Sequence, residues 1–248
     1  MSDTARAVLS VTGADREKFL QDLVTNTIPG INTGLVYAAL LTPQGKFLFD
    51  FFLLRREQAL FIDVAADRAQ QLIRRLTMYR LRAAVSVAGT DRAVSRGPGE
   101  PPDGAYADPR HPALGWRGYD GQPDEAVDWD AIRVKHCIPE TGIELIAGQS
   151  YILECGFDRL NGVDFRKGCY VGQEVTARMR HKTTPNKGLV TVDVTGTAPV
   201  GTMITAEGKE AGFLFTQSGG RAIAYLRFHR ARGEMLAGAT RVTFTLPD

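Results

Sequence analysis

The stretch Phe165-Arg166-Lys167-Gly168-Cys169-Tyr170-Val171-Gly172-Gln173-Glu174-Val175-Thr176-Ala177-Arg178 gathers a thiol, two adjoining cations and two glycines. A cysteine works as nucleophile, redox centre or metal ligand through its thiolate, and positive neighbours favour that form. Arg166 and Lys167 are such neighbours. Gly168 permits a tight turn just before the sulfur. A helix opening from Tyr170 onwards would add the partial positive charge of its unpaired N–H groups. The same residue types equally suit a small buried hydrophobe, a frequent role of unpaired cysteines. Cys137 and Cys155 have no flanking basic pair, and burial is expected for both.

Other chemistry is thinner. Three cysteines without a CxxC pair fit neither a disulfide framework nor a zinc ribbon. An iron–sulfur cluster usually takes about four thiolates, so the chain is not expected to hold one alone. His181 lies among Arg178, Arg180 and Lys182, a basic run that reads as a solvated face or a contact for an acidic partner. His111, His136 and His229 are far apart in sequence, without metal-ligand spacing. Glu140 and Glu144 have the spacing of an acid–base pair, though four residues apart on a surface is commoner. The glycine-rich segments match neither a P-loop nor a dinucleotide fingerprint.

The elements that must position these residues follow from periodicity. Val8 to Val11 reads as a strand, and Thr12-Gly13-Ala14-Asp15 as a capping box before a helix carrying Phe19, Leu20, Leu23 and Val24, which ends near Thr27 to Gly30. Leu35 to Leu41, the turn Thr42-Pro43-Gln44-Gly45 and Lys46 to Arg55 form a hairpin. Ala59 to Val64 is a strand, Ala66 to Leu81 an amphipathic helix, and Val85 to Val87 extended. A loop near 95–105 leads to short strands and turns through Asp108-Pro109-Arg110 and Gly115-Trp116-Arg117, and Asp128 to His136 is helical. Beyond Pro185, Leu189 to Val194, Met203 to Ala206 and Arg241 to Leu246 alternate between regularly placed glycines, the pattern of a small barrel or sandwich. The expected fold is α+β, with mixed or antiparallel sheets over 1–184 and a small C-terminal β-barrel over 185–248.

The chain has 248 residues, 44% hydrophobic and 23% charged, with a net charge of +2. That composition is globular and implies no broad nucleic-acid surface. Phe47 to Leu54, the most apolar run, is broken by Asp50 and falls short of the about 20 residues that span a bilayer. The first residues, Met1 to Arg6, lack the profile of a secretory signal, so a soluble, cytoplasmic protein is expected, with no membrane partner.

Lys167-Gly168-Cys169-Tyr170-Val171-Gly172-Gln173-Glu174 resembles the K-G-C-Y-x-G-Q-E signature of the YgfZ family. Thr12 to Asp15 with Lys18-Phe19-Leu20-Gln21, Leu41 to Lys46, and Tyr79-Arg80-Leu81-Arg82 resemble its first helix, hairpin and second helix end. Asp108 to Arg110, Leu114 to Arg117 and Leu160 to Val163 look closest to its mitochondrial branch. The resemblance implies the fold of the glycine cleavage T-protein, tetrahydrofolate or a derivative in a central cavity, and a role beside iron–sulfur assembly proteins or client enzymes. It points to Cys169 as the functional thiol with Lys167 tuning it. Trp129, Lys167, Gly168, Tyr170, Gln173, Glu174 and Arg178 would hold the folate. A basic run at His181 would meet its glutamyl tail. The bacterial branch's first-strand tryptophan is replaced by Arg6, the T-protein's folate-binding glutamate by Lys135 and its catalytic aspartate by Gln70. Those replacements weigh against turnover as an aminomethyl transferase or demethylase, the alternative function. A plain binding module with a structural cysteine is a third.

Overall fold

The computed structural model describes residues 5–56, 58–181 and 185–245. Strand β1 (Arg6–Thr12) is followed by helix α1 (Arg16–Gln21), the hairpin β2 (Val36–Leu41) and β3 (Phe47–Arg56), and β4 (Ala59–Ala65). Helix α2 (Ala69–Arg80) and strand β5 (Ser86–Gly89) complete a five-stranded sheet of order β2-β3-β4-β1-β5, antiparallel at every pairing.

Both faces of this sheet are buried, which explains why β3 is apolar at successive positions on either side of Asp50. Because side chains alternate along a strand, Leu9, Leu40, Phe49, Phe51, Leu53 and Ile62 face one core with α1 and α2. Val8, Tyr37, Phe47, Phe52 and Leu54 face a second core with Trp129, Phe157 and Tyr170. Asp50 and Asp63 fall in the second register and are carried into that layer, 5% and 0% exposed.

Strands β6 (Ser95–Gly97), β7 (Tyr106–Ala107) and β8 (Trp116–Gly118) form a small sheet of order β6-β8-β7. Helix α3 (Trp129–His136) begins at Asp128, whose carboxylate accepts the Ala131 N–H at 3.0 Å. Helix α4 (Gln173–Arg180) precedes a closed barrel of order β10-β11-β12-β9-β14-β13. Its strands are β9 (Lys187–Thr195), β10 (Thr202–Ala206), β11 (Lys209–Ser218), β12 (Arg221–Arg227), β13 (Met235–Ala237) and β14 (Thr240–Thr243). Inward-facing Val192, Ile204, Leu214, Leu226 and Val242 fill it. Thr191 donates to the Val134 carbonyl at 2.7 Å and so ties the barrel to α3.

Several local expectations are corrected. No capping box forms: Asp15 stands at the N-cap of α1, but its carboxylate accepts the distant Ala84 N–H at 2.7 Å. The helix stops at Gln21, and Ile28–Asn32 is a separate 3-10 turn. Residues 66–68 likewise form a 3-10 turn before α2. The last strand ends at Thr243, while Leu246 lies outside the described residues. No helix among the described residues is long and apolar enough to cross a membrane.

Candidate functional site

The signature loop is stretched over the sheet edge between two anchors. Lys167 is 8% exposed, and its ammonium donates to the carbonyls of Gln21 at 2.7 Å, Val24 at 2.6 Å and Asn26 at 3.0 Å. Those carbonyls lie at and just beyond the end of α1, where a helix leaves acceptors unpaired. A lysine has three donors, and all three are used. Burial pulls its pKa down to about 8, against the pull of Asp164 and Asp22. Tyr170 is the other anchor, sunk into the second core, while the next residue, Val171, packs against the first. Between the anchors Gly168 and Cys169 are exposed. The sequence thus presents a Gly-Cys tip held on both sides by buried side chains.

The glycine that shapes this loop is Gly172 rather than Gly168. Gly172 has φ +83°, and a Cβ there would come within 2.6 Å of the Thr42 carbonyl oxygen. Opposite it, Gly45 has φ +75° and abuts Val175, at 2.8 Å from a hypothetical Cβ. The hairpin turn and the start of α4 therefore interlock through two positions that only glycine fills without strain. A Cβ on Gly168 would meet nothing within 4 Å. Helix α4 also opens at Gln173, three residues later than expected. Cys169 stands outside the first turn, to which the helix-terminus effect is confined.

The remaining sequence candidates divide. Gln173 is half-buried, and Glu174 and Arg178 are exposed along α4. Arg166 has a side chain 97% exposed, and Arg180 lies over the Phe165 ring at 3.7 Å. His181 ends α4, and Lys182 lies outside the described residues. Trp129 is on α3 in the second core, its ring covered by the Arg96 guanidinium at 4.2 Å. Gln70 and Lys135 are exposed on α2 and α3. Cys137 is half-buried and Cys155 buried, and burial pushes their thiols up to about 11 and about 12. His111 and His136, distant in sequence, meet with ring centroids 4.1 Å apart. Their planes are tilted by 34°, and among the described residues no cluster of three or more His, Cys, Asp or Glu could hold a metal ion.

Sequence reasoning missed the most heavily charged part of the molecule. Arg6 donates to Asp63 at 2.6 Å, and the other Asp63 oxygen accepts from Arg117 and the Tyr119 hydroxyl, each at 2.9 Å. Arg117 continues to Asp108 at 3.0 Å, which Arg110 grips with two side-chain bonds of 3.0 and 2.8 Å. Burial alone would raise both carboxyls, but Arg6 and Arg117 hold Asp63, and Arg110 and Arg117 hold Asp108, below the ordinary carboxylate value. Asp50 accepts from Tyr37 at 2.9 Å and from Thr141. Nor are Glu140 and Glu144 on the surface: they are 9% and 3% exposed. Glu144 accepts from Arg133, from the Glu140 N–H at 2.9 Å and from the Thr216 hydroxyl at 2.5 Å, a clamp between α3 and the barrel. The one signal available was an aspartate inside each of two apolar strands, Asp50 and Asp63.

This network tests the folate expectation. Position 6, which the resemblance puts in the cavity wall, holds an arginine locked onto Asp63, and position 129 holds a tryptophan already stacked by Arg96. The Phe52 ring has guanidinium carbons of Arg117, Arg110 and Arg6 at 3.9, 4.9 and 5.6 Å. Aromatic faces and carboxylates that would recognise a pterin are engaged by the protein's own arginines. The residues present do not fit the group.

Comparison with known proteins bears on the fold and the family. Residues 186–248 match the family model "CAF17, C-terminal beta-barrel domain". The chain is 29% identical to the mitochondrial iron–sulfur cluster assembly factor IBA57 homolog of Mycosarcoma maydis, over 78% of this chain and 57% of that protein. It is 32% identical to the Neurospora crassa homolog, over 72% and 50%, and 28% identical to mouse mitochondrial IBA57, over 98% and 83%. The chain thus spans about half the length of the two fungal proteins. Glycine cleavage system aminomethyltransferase T from Bartonella henselae superposes with a TM-score of 0.74 at 15% identity, over 96% of this chain and 82% of that one. The cytoplasmic expectation is overturned by these names, since the relatives are mitochondrial proteins. The chain is a homologue of the mitochondrial-type IBA57 proteins of the YgfZ family, with the aminomethyltransferase T fold and a CAF17-type barrel at its C-terminal end.

Proposed function

We propose that this chain supports iron–sulfur cluster assembly or repair by offering Cys169 as a thiolate to a cluster held jointly with a partner. The carrying observation is the exposed Gly168-Cys169 tip between the buried anchors Lys167 and Tyr170. A thiolate binds iron as a soft ligand, and about four such ligands complete a cluster. A second protein, an assembly factor or a client enzyme, or a small thiol supplies the others. Lys167 serves as the anchor that aims the loop, its donors spent on carbonyls. Gln173, Glu174 and Arg178 line the tip's C-terminal side and contact the partner. We also divide the chain at 184/185 into a T-protein-like unit and the barrel.

Tetrahydrofolate is the ligand that family and fold point to, and the arginine-filled interior stands against it. No step of the proposed role passes through folate. One-carbon transfer is disfavoured for the same reason and because Gln70, which the resemblance aligns with the T-protein's catalytic aspartate, carries no carboxylate and lies exposed on α2.

The test is complementation of a strain lacking its family member by wild type and Cys169→Ala, scored on several iron–sulfur enzymes. Wild type restores them; Cys169→Ala does not, while its thermal stability is unchanged. In the same preparations iodoacetamide at pH 8 labels Cys169 and leaves Cys155 protonated and unlabelled. Full restoration by Cys169→Ala would sink the thiol mechanism.

A further inference from the structure

Two motif segments are not absorbed by the thiol reading: Lys18-Phe19-Leu20-Gln21 on α1 and Tyr79-Arg80-Leu81-Arg82 at the end of α2. The fold brings them together. Asp15, Lys18, Phe19, Asp22 and Leu23 form one wall, and Tyr79 to Ala83 the other wall, of a groove of ≈ 390 Å³. Further along α2, Arg74, Arg75 and Met78 border a second concavity of ≈ 250 Å³ with Leu48 and Phe49. Leu81, in the wall of the first, is 88% exposed, and Met78, at the border of the second, is 70% exposed. Leu81 adopts φ 44° and ψ −105°, an uncommon backbone for a non-glycine residue, and there it projects an apolar side chain into water. Core packing supplies no reason for that arrangement.

Charge gives the face its sign. From Arg68 to Thr90 there are five arginines and no acidic residue, in a chain whose net charge is only +2. The two aspartates of the groove are spent internally. Asp22 pairs with Lys18 at 2.6 Å, and Asp15 accepts the Ala84 N–H. Arg74, Arg80 and Arg82 are exposed.

We infer that this α1/α2 face is the docking site for an acidic protein segment bearing one or two apolar anchors, carried by the partner that completes the Cys169 site. Leu81 and Met78 meet the anchors, the two concavities receive neighbouring side chains, and the arginines meet carboxylates. A protein fits better than a nucleic acid or a membrane. The basic surface is one short helix with concave flanks rather than a long stripe, and two exposed apolar side chains are too few to insert into lipid. The site is also coupled to the thiol. The groove wall α1 ends at the carbonyls that hold Lys167, and Cys169 is two peptide units further, at most about 7.6 Å along the chain from that anchor. The partner's role rests on the thiol reading; the docking face itself does not.

The experiment places p-benzoylphenylalanine at position 81 of the whole chain in cells, with a control at Val200, exposed on the barrel side of the molecule. After irradiation, the adduct's contact peptide is sequenced. The expected result is an adduct to an Asp/Glu-rich segment with Leu, Met or Phe, absent at position 200. Its yield should fall about tenfold when Arg74→Glu and Arg82→Glu are combined. No adduct, a contact segment without acidic residues, or a yield indifferent to charge reversal would overturn the proposal. So would arginine-dependent binding of purified chain to phosphatidylserine vesicles or single-stranded DNA in place of the adduct. Complementation separates the two ideas. The double reversal should fail like Cys169→Ala while Cys169 alkylation stays within about twofold of wild type. A reversal that complements where Cys169→Ala fails removes the docking face alone. A complementing Cys169→Ala with an intact adduct removes the thiol reading alone.

Discussion

The interior between the sheet and α3 and the signature tip over the sheet edge treat charge in opposite ways. Inside, Arg6, Asp63, Arg117, Asp108 and Arg110 form an unbroken relay in which each carboxylate oxygen of the two aspartates has a donor. At the tip, the charge of Lys167 is also spent, but on backbone carbonyls, and its result is to leave a neighbouring sulfur in solvent. A buried ion pair gains little net stability over an apolar pair, because desolvation offsets the attraction, yet removing one partner is expensive. Arginines and aspartates therefore lock the middle of the molecule shut. The lysine anchor leaves one sulfur exposed at its edge.

The largest effect should come from breaking the interior. Asp63→Asn leaves Arg6 and Arg117 facing a neutral amide and should cost about 3–5 kcal/mol in urea unfolding, with Cys169 alkylation unaltered in the folded fraction. Acid sharpens the same point. Asp63 and Asp108 have native pKa values below the unfolded value of about 3.9. The unfolded chain therefore binds more protons near that value, and stability rises with pH there. Their contribution is complete above about pH 5 and is lost as the pH falls through the native values. The slope of unfolding free energy against pH should be shallower in Asp63→Asn. An unchanged slope would remove Asp63 from the acid transition.

Lys167→Met tests the other side of the comparison. It strips the ammonium from three carbonyls and should cost about 1–3 kcal/mol by thermal melt. The freed loop should also be cut faster at the tip by limited proteolysis, while the interior stays intact. Equal protection in the variant would show that Tyr170 alone holds the loop.

The smallest expected difference separates two glycines of one motif. Gly172→Ala meets the Thr42 carbonyl and an unfavourable φ, and should cost about 1–2 kcal/mol. Gly168→Ala should stay within about 0.5 kcal/mol. Equal costs would refute the interlock of hairpin turn and helix start.

Much of the architecture was readable in the chain. Alternation and turn residues marked the hairpin of Leu35 to Leu41 and Lys46 to Arg55, a helix over Ala66 to Leu81 and three of the six barrel strands, because those are local consequences of period and glycine placement. The signature segment was readable too, since its composition is unusual within fourteen residues. Three things were not. The capping box at Thr12 was a local guess, overridden by Ala84, which is distant in sequence. Glu140 and Glu144 looked like surface residues because spacing carries no record of burial. The Lys167 anchor spans 141 to 146 residues and leaves no periodic trace.

The sequence by itself determined which segments alternate, where the backbone may turn and that one thiol sits among cations, because these depend on neighbours along the chain. Only the tertiary structure decided which charges are consumed and which sulfur is presented. Electrostatic pairing and solvent exposure depend on what arrives from across the fold, and a lysine's nearest residue in sequence need not be the group it serves.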